Sequence, residues 1–171
     1  MTDMSTFACP SACTKLCKRP IQEDFLFQLS DLYPGLTPSE RALATEHPKD
    51  SLKAFQLSRE AEKLCLTRFS NSNTNDGSDA CRHFVWAGLM LKEFGSEKAS
   101  KFLTAHEDDS KQPPIERAMD LANNRFGLIS AEQLDKAKNL SSDALLKRFD
   151  EAVKKQELVI IKNESLKGGL K

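Results

Sequence analysis

The run Asp79-Ala80-Cys81-Arg82-His83-Phe84-Val85-Trp86 sets an acid, a guanidinium, an imidazole and an indole at relative positions 0, 3, 4 and 7. At 100° per residue these four share one helix face, where Asp79 can accept a hydrogen bond from His83 and set its tautomer. An Asp–His pair beside an aromatic wall is equipped for general acid–base work. The plainer use of the same residues is an acid that favours the helix dipole, an arginine in solvent and a His–Trp pair at the core edge.

Two further motifs follow. Ala105-His106-Glu107-Asp108-Asp109 closes the next helix, and the dipole there favours a cationic His106 but disfavours three successive acids, so this end invites a cation or a proton. In Arg117 to Gly127, Asp120 and Asn124 stand one turn apart with Asn123 beside them. Asparagine is a poor mid-helix residue, so two in succession mark either a site or a helix fraying toward Gly127.

Three consecutive helices thus offer His83, His106, Glu107, Asp79, Asp120 and Asn124 to one pocket. Two chemical uses follow. In the first, His83 and Glu107 act as acid and base in a hydrolysis, Asp79 orients His83, and Arg82, Trp86, Asn123 and Asn124 bind substrate. In the second, His83, His106 and Asp120 hold a divalent metal that activates water. The chain has no H-E-x-x-H, no Gly-x-Ser-x-Gly elbow and no P-loop. Cys81 as a nucleophile is disfavoured, because two residues before His83 on one helix it projects elsewhere.

The helices that must carry these groups are legible from period and punctuation. Phe25, Leu26, Leu29 and Leu32 mark a helix from Gln22 that Pro34-Gly35 closes. Thr37, Pro38 and Glu40 form a capping box with proline at the first helical position, for a short helix ending before Pro48. A longer one spans 49–69 with Leu57, Ala61 and Leu66 among its buried positions, then 70–78 is a loop by composition. Ser78 is expected to cap a helix over 79–94 with Gly95 after it, and Ser96 to cap one reaching Glu107. Pro113-Pro114 opens a helix that stops at Gly127, Ser130 with Gln133 starts a short one, and Ser141 or Ser142 starts an amphipathic one through Gln156.

The expected fold is all-α: a single compact bundle of seven or eight helices over residues 21–171, its motif-bearing core at 73–127, with a flexible cysteine-containing arm over residues 1–20. The β-branched run Leu158-Val159-Ile160-Ile161 lacks a partner strand, so it reads as a helix end, an extended tail or an edge added to another chain.

Lys and Arg number 25 and Asp and Glu 25, so no net basic field draws the protein onto nucleic acid, and no apolar run is long enough to span a bilayer. Lys15 and Lys18 follow the weakly apolar N-terminal stretch, the reverse of a secretory signal. Cys9, Cys13 and Cys17 are spaced i, i+4, i+8, unlike a zinc ligand pair, and with Cys65 and Cys81 they leave both pairing and redox compartment open.

The ordered pattern Asp79-Ala80-x-Arg82-His83-x-x-Trp86, Ala105-His106-Glu107 and Met119-Asp120-Leu121-x-Asn123-Asn124-x-x-Gly127 resembles an uncharacterised domain family of bacterial secreted and polymorphic toxins, over Asn73 to Gly127. Cys81, Ala122 and Phe126 depart from the family pattern. The resemblance implies an antibacterial effector, such as a type VI secretion cargo, cytoplasmic in the producing cell and delivered to a target periplasm without a signal peptide. A cognate immunity protein would then be a partner. A shorter likeness links Cys81-Arg82-His83-Phe84 to the Cys-x-Arg-His-Asp-Phe segment of bacterial phospholipase A2, although the acid after the histidine is missing. The expectation is a hydrolase of the target-cell envelope, peptidoglycan first. Phospholipid hydrolysis and a non-enzymatic helical adaptor or immunity-type binding protein are the alternatives.

Overall fold

The computed structural model describes residues 35–161. Among them the chain forms six helices and no strand: α1 Pro38–Glu46, α2 Pro48–Cys65, α3 Gly77–Phe94, α4 Ser96–His106, α5 Pro114–Lys136 and α6 Ser142–Lys154. The cysteine arm of residues 1–20, the helix expected from Gln22 and the Gly168-Gly169 terminus lie outside the described residues.

The expected seven or eight helices become six among the described residues because the one from Gln22 lies outside them and Gly127 does not end a helix. It lies inside α5, which runs on through Ser130. A Cβ there would stand 2.4 Å from the Phe84 carbonyl oxygen and 2.9 Å from the Phe84 Cα and the Ala87 Cβ. Gly127 is therefore the point where α5 lies against the α3 backbone, and that approach outweighs the ~1 kcal/mol by which glycine weakens a helix.

Helix α3 is the axis of the molecule. Apart from Arg82, its residues from Ser78 to Leu91 are buried, as expected of a helix apolar on nearly every side. It lies between α2, α4, α5 and α6. Phe84 stacks at tilted angles on Phe126 of α5 and Phe149 of α6, with ring centroids 5.6 and 5.8 Å away. Met90, Leu103 and Leu145 complete the closed part of the core.

The caps hold the ends where the site needs them. The Thr37 hydroxyl accepts from the Glu40 amide at 3.1 Å and Glu40 Oε2 accepts from the Thr37 amide at 2.8 Å, so the capping box forms as its sequence predicts. The Thr37 hydroxyl also donates to the Ala105 carbonyl at 2.6 Å, tying α1 to the end of α4. Asp76, not Ser78, caps α3, accepting from the Ser78 and Asp79 amides. Ser96 is the first residue of α4 rather than its cap, and its hydroxyl donates to Glu132. Ser141 caps α6 as expected. Helix α2 ends at Cys65, four residues earlier than its period suggests, which leaves Leu66 45% exposed instead of buried.

Cys65 and Cys81 form a buried disulfide between the end of α2 and the start of α3. It closes a loop with a sequence separation of 16, for which chain entropy gives about 3 kcal/mol. The pair Cys65→Ala/Cys81→Ala is expected to lower the thermal midpoint by roughly 10 °C. Scanning calorimetry of the oxidised chain and the variant checks this. Equal midpoints would contradict it.

After α6 the chain runs extended across α5. Asn123 Nδ2 donates to the Val159 carbonyl at 2.9 Å, its Oδ1 accepts from the Val159 amide at 3.1 Å, and the Ile161 amide donates to the Asn75 carbonyl at 3.2 Å. The β-branched run is thus an extended tail held by a side-chain amide that imitates a strand partner. Asn123→Ala should destabilise the chain by about 1–2 kcal/mol, since two half-buried hydrogen bonds disappear. Hydrogen exchange at Val159 should then rise well above that of the α6 core, and unchanged protection would contradict the clamp. No described helix is long and apolar enough to cross a membrane.

Candidate functional site

The site is assembled by α3, the end of α4 and the first half of α5. His83, on the first turns of α3, is buried, and its ring meets acids on both edges. Nε2 lies 3.4 Å from Asp79 Oδ1 and 3.3 Å from Asp120 Oδ1, while Nδ1 lies 3.3 Å from Glu107 Oε1 and 3.2 Å from Asn124 Oδ1. Asn124 Nδ2 donates to Glu107 Oε1 at 2.9 Å, so one amide bridges the imidazole and its acid.

Each acid has a further tether. Asp79 Oδ2 accepts from the Asn75 amide at 2.6 Å, and Arg82 donates to Oδ1. Asp120 Oδ2 accepts from Gln112 at 2.7 Å, whereas its Oδ1 is buried and accepts no hydrogen bond. Glu107 follows the last residue of α4, where the helix dipole would repel an anion, and the cation answering it is His83.

Burial raises the Asp120 carboxyl to about 6, helped by the charges of Glu107 and Asp79 and opposed by His83. Burial pulls the His83 imidazole down, but hydrogen bonds to Asp79 and Glu107 and the charges of Glu107 and Asp120 push it up to about 10. For Asp79 and Glu107 burial works upward, yet the bond and charge of His83 hold both below their ordinary values. The Asn75 amide and Arg82 add to this for Asp79, and His106 and Asn124 for Glu107.

These shifts set the pH profile of stability on the protein's own charges. His83 is raised, so its contribution is complete below its ordinary 6.5 and is lost as pH climbs through about 10. Asp79 and Glu107 are lowered, so theirs is present above 3.8 and 4.5 and disappears as pH falls through their folded values. Asp120 is raised, so its ionisation between 3.8 and about 6 removes stability. The thermal midpoint in chelator-containing buffer is expected to peak near pH 5 and to decline from pH 7 to 10. A midpoint that climbs over that interval would contradict a charged His83.

The cluster forms one wall of a cleft of about 440 Å³, whose other walls include Thr74, Lys111, Gln112 and Glu116. That volume lies within the range of about 300–1,000 Å³ usual for small-molecule sites. Asp79, His83 and Asp120 line it, and each offers one ligand atom, all within 4.8 Å of one another, the spacing of a metal-ligand set.

Of the residues singled out in the sequence, His83, Glu107, Asp79, Asp120, Asn124 and Arg82 converge here. Arg82 also donates to the Ser72 hydroxyl and the Asn73 carbonyl, so it braces the loop before α3. The other three lie outside this hydrogen-bonded cluster. His106 borders the cleft, but its Nδ1 pairs with Glu40 Oε1 at 2.7 Å and its ring stands edge-on to Trp86, so Asp79 takes the place in the ligand set that spacing gave to His106. Trp86 lies a turn beyond His83 and donates from Nε1 to the Ala54 carbonyl at 3.1 Å, against α2. Asn123 faces the C-terminal tail and not the cleft.

Sequence reasoning missed Asn75, Gln112 and Glu40. Asn75 stands at φ +66°, a backbone state asparagine tolerates better than most residues, and the polar loop around it was the available signal. Gln112 precedes α5 and stands 8 residues before its partner Asp120, whereas Glu40, legible only as a capping-box residue, meets His106 across 66 residues.

Among the described residues, a buried carboxylate–imidazole–carboxylate centre beside a cleft lies within an all-α domain. The chain belongs to the family described as Domain of unknown function (DUF6973), which matches residues 41–157. No curated protein and no solved structure matches the chain.

Proposed function

We propose that this domain is a hydrolase of the bacterial cell envelope, delivered as an antibacterial effector, with peptidoglycan as its substrate. The observation that carries the reading is the convergence of His83, Asp79, Glu107 and Asp120 on one wall of the cleft. Hydrolysis needs a group to draw a proton from water and fixed positive charge opposite the charge that develops. Glu107 and Asp120, both lining the cleft, are the carboxylates that can supply the first. Arg82, on the same wall, brings positive charge.

The Cys65–Cys81 disulfide supports work outside the cytosol, since such bridges persist in periplasmic and extracellular space. The rim, with Thr74, Lys111 and Gln112, suits a polar polymer of sugars and peptides better than an acyl chain. An apolar pocket does adjoin the site beside Trp86 and His106, but at about 50 Å³ it is far smaller than an ordinary ligand pocket.

The test is expression of wild type, Asp120→Asn and Glu107→Gln in the bacterial cytoplasm and, separately, behind an export signal, with purified oxidised protein added to peptidoglycan sacculi and to phospholipid vesicles. Lysis on export alone, fragments from sacculi and loss of both in folded variants are expected. Lipid cleavage without sacculus cleavage overturns peptidoglycan in favour of phospholipid. Inertness in every arm overturns the hydrolase in favour of a binding protein.

A further inference from the structure

We propose that Asp79 Oδ1, His83 Nε2 and Asp120 Oδ1 bind one Zn²⁺ ion, with Glu107 holding the imidazole from its other nitrogen. The first support is spacing. Zinc bonds of about 2.0–2.1 Å in tetrahedral array put neighbouring ligand atoms roughly 3.3–3.4 Å apart. His83 Nε2 stands 3.4 Å from Asp79 Oδ1 and 3.3 Å from Asp120 Oδ1, and the three donors all lie within 4.8 Å of one another. An octahedral Mg²⁺ at about 2.1 Å would draw them closer, to about 3.0 Å, and Ca²⁺ takes oxygen ligands in preference to imidazole.

The second support is independent of the first. Asp120 is 5% exposed, and its Oδ1 is buried without a hydrogen bond while directed at the His83 edge. A buried carboxylate oxygen left without a donor costs free energy. A cation among the three atoms removes that deficit.

The third is the far side of the ring. A metal-bound histidine ordinarily donates its other N–H to a carboxylate, which fixes the tautomer and raises the basicity of the ligating nitrogen. Glu107 occupies that position at 3.3 Å from Nδ1 and is itself held by Asn124 at 2.9 Å. In forming the site the ion takes the place of a proton on Nε2, which leaves to solvent.

Charge balance agrees. Asp79, Glu107 and Asp120 bring three negative charges, and Arg82 on Asp79 brings one positive charge. A divalent ion with a neutral His83 makes the group neutral. The three ligands line the cleft, and an ion held by three protein groups keeps a fourth position for water or substrate, as a catalytic zinc site does and a structural one does not. The ion's use in hydrolysis rests on the function proposed above, but its binding is read out separately.

The experiment takes the full, tag-free chain with Cys9, Cys13 and Cys17 changed to serine, so that the arm thiols offer no ligand. After chelation, Zn²⁺ is titrated by calorimetry and bound metal is counted by mass spectrometry, with circular dichroism reporting the fold. One Zn²⁺ per chain and a higher thermal midpoint are expected. Asp120→Asn, which keeps the side-chain shape, and His83→Gln should each weaken binding at least ~100-fold. Glu107→Gln should weaken it about 10–100-fold, and His106→Gln should leave it unchanged. Absence of stoichiometric binding, or binding that survives Asp120→Asn, or binding that His106→Gln abolishes, each overturns the site. Zn²⁺ bound without hydrolysis of envelope substrates overturns the function and leaves the ion. Hydrolysis by a chain that binds no Zn²⁺ does the reverse.

Discussion

Gly127→Ala is expected to destabilise the protein by about 3 kcal/mol or more and to disperse the site with it. The added methyl would lie 2.4 Å from the Phe84 carbonyl oxygen, a backbone atom of α3 that no rotamer change can move. Relief requires α5 to move away from α3, and these two helices carry Asp120 and Asn124 on one side and Asp79 and His83 on the other. Gly88 is the instructive contrast. The nearest atoms to a Cβ there belong to the Leu145 side chain and not to backbone, so Gly88→Ala can be relieved by a side-chain shift in the core and is expected to cost less. Urea unfolding of both variants checks the pair, and Gly127→Ala within 1 kcal/mol of wild type would refute the close approach.

His83→Ala is the second large effect. The imidazole is the cation that Asp79, Glu107 and Asp120 share, and each of these acids is buried. Removing one member of a buried charge pair while leaving the other costs about 3–5 kcal/mol. The variant should therefore have a lower unfolding midpoint at pH 7 and recover part of the loss as pH falls toward 5 and the stranded acids take up protons. Adding Glu107→Gln to His83→Ala should restore stability, a sign opposite to that of Glu107→Gln in the wild-type background. Additive effects in that double-mutant cycle would mean that the pair is not coupled.

What the sequence made legible follows the reach of helical spacing. Asp79 and His83 are four residues apart on one face, and Asp120 and Asn124 likewise, so local geometry was enough to nominate them. That the two faces meet follows from three consecutive helices in a small bundle. His106 shows where this reasoning ends. Its place beside Glu107 looked equivalent to a ligand, but its partner Glu40 lies 66 residues away and turns its ring toward α1.

Asn123 and Asn124 divide the same way. Adjacent in sequence and alike in type, they face different neighbours, and only Asn124 enters the site. Gly127 misled for a related reason, since a glycine that ends a helix and one that admits another helix look the same in one dimension. The disulfide was beyond reach because five cysteines leave the pairing undetermined.

Glu40 ties two events together. One of its oxygens secures the opening amide of α1 and the other secures the imidazole at the lip of the cavity. Fraying of the first turn and loosening of that lip are thus a single cooperative opening, and amides on both should share one exchange rate. A visitor entering the pocket that Trp86 and Glu40 both line would loosen α1 by the same stroke.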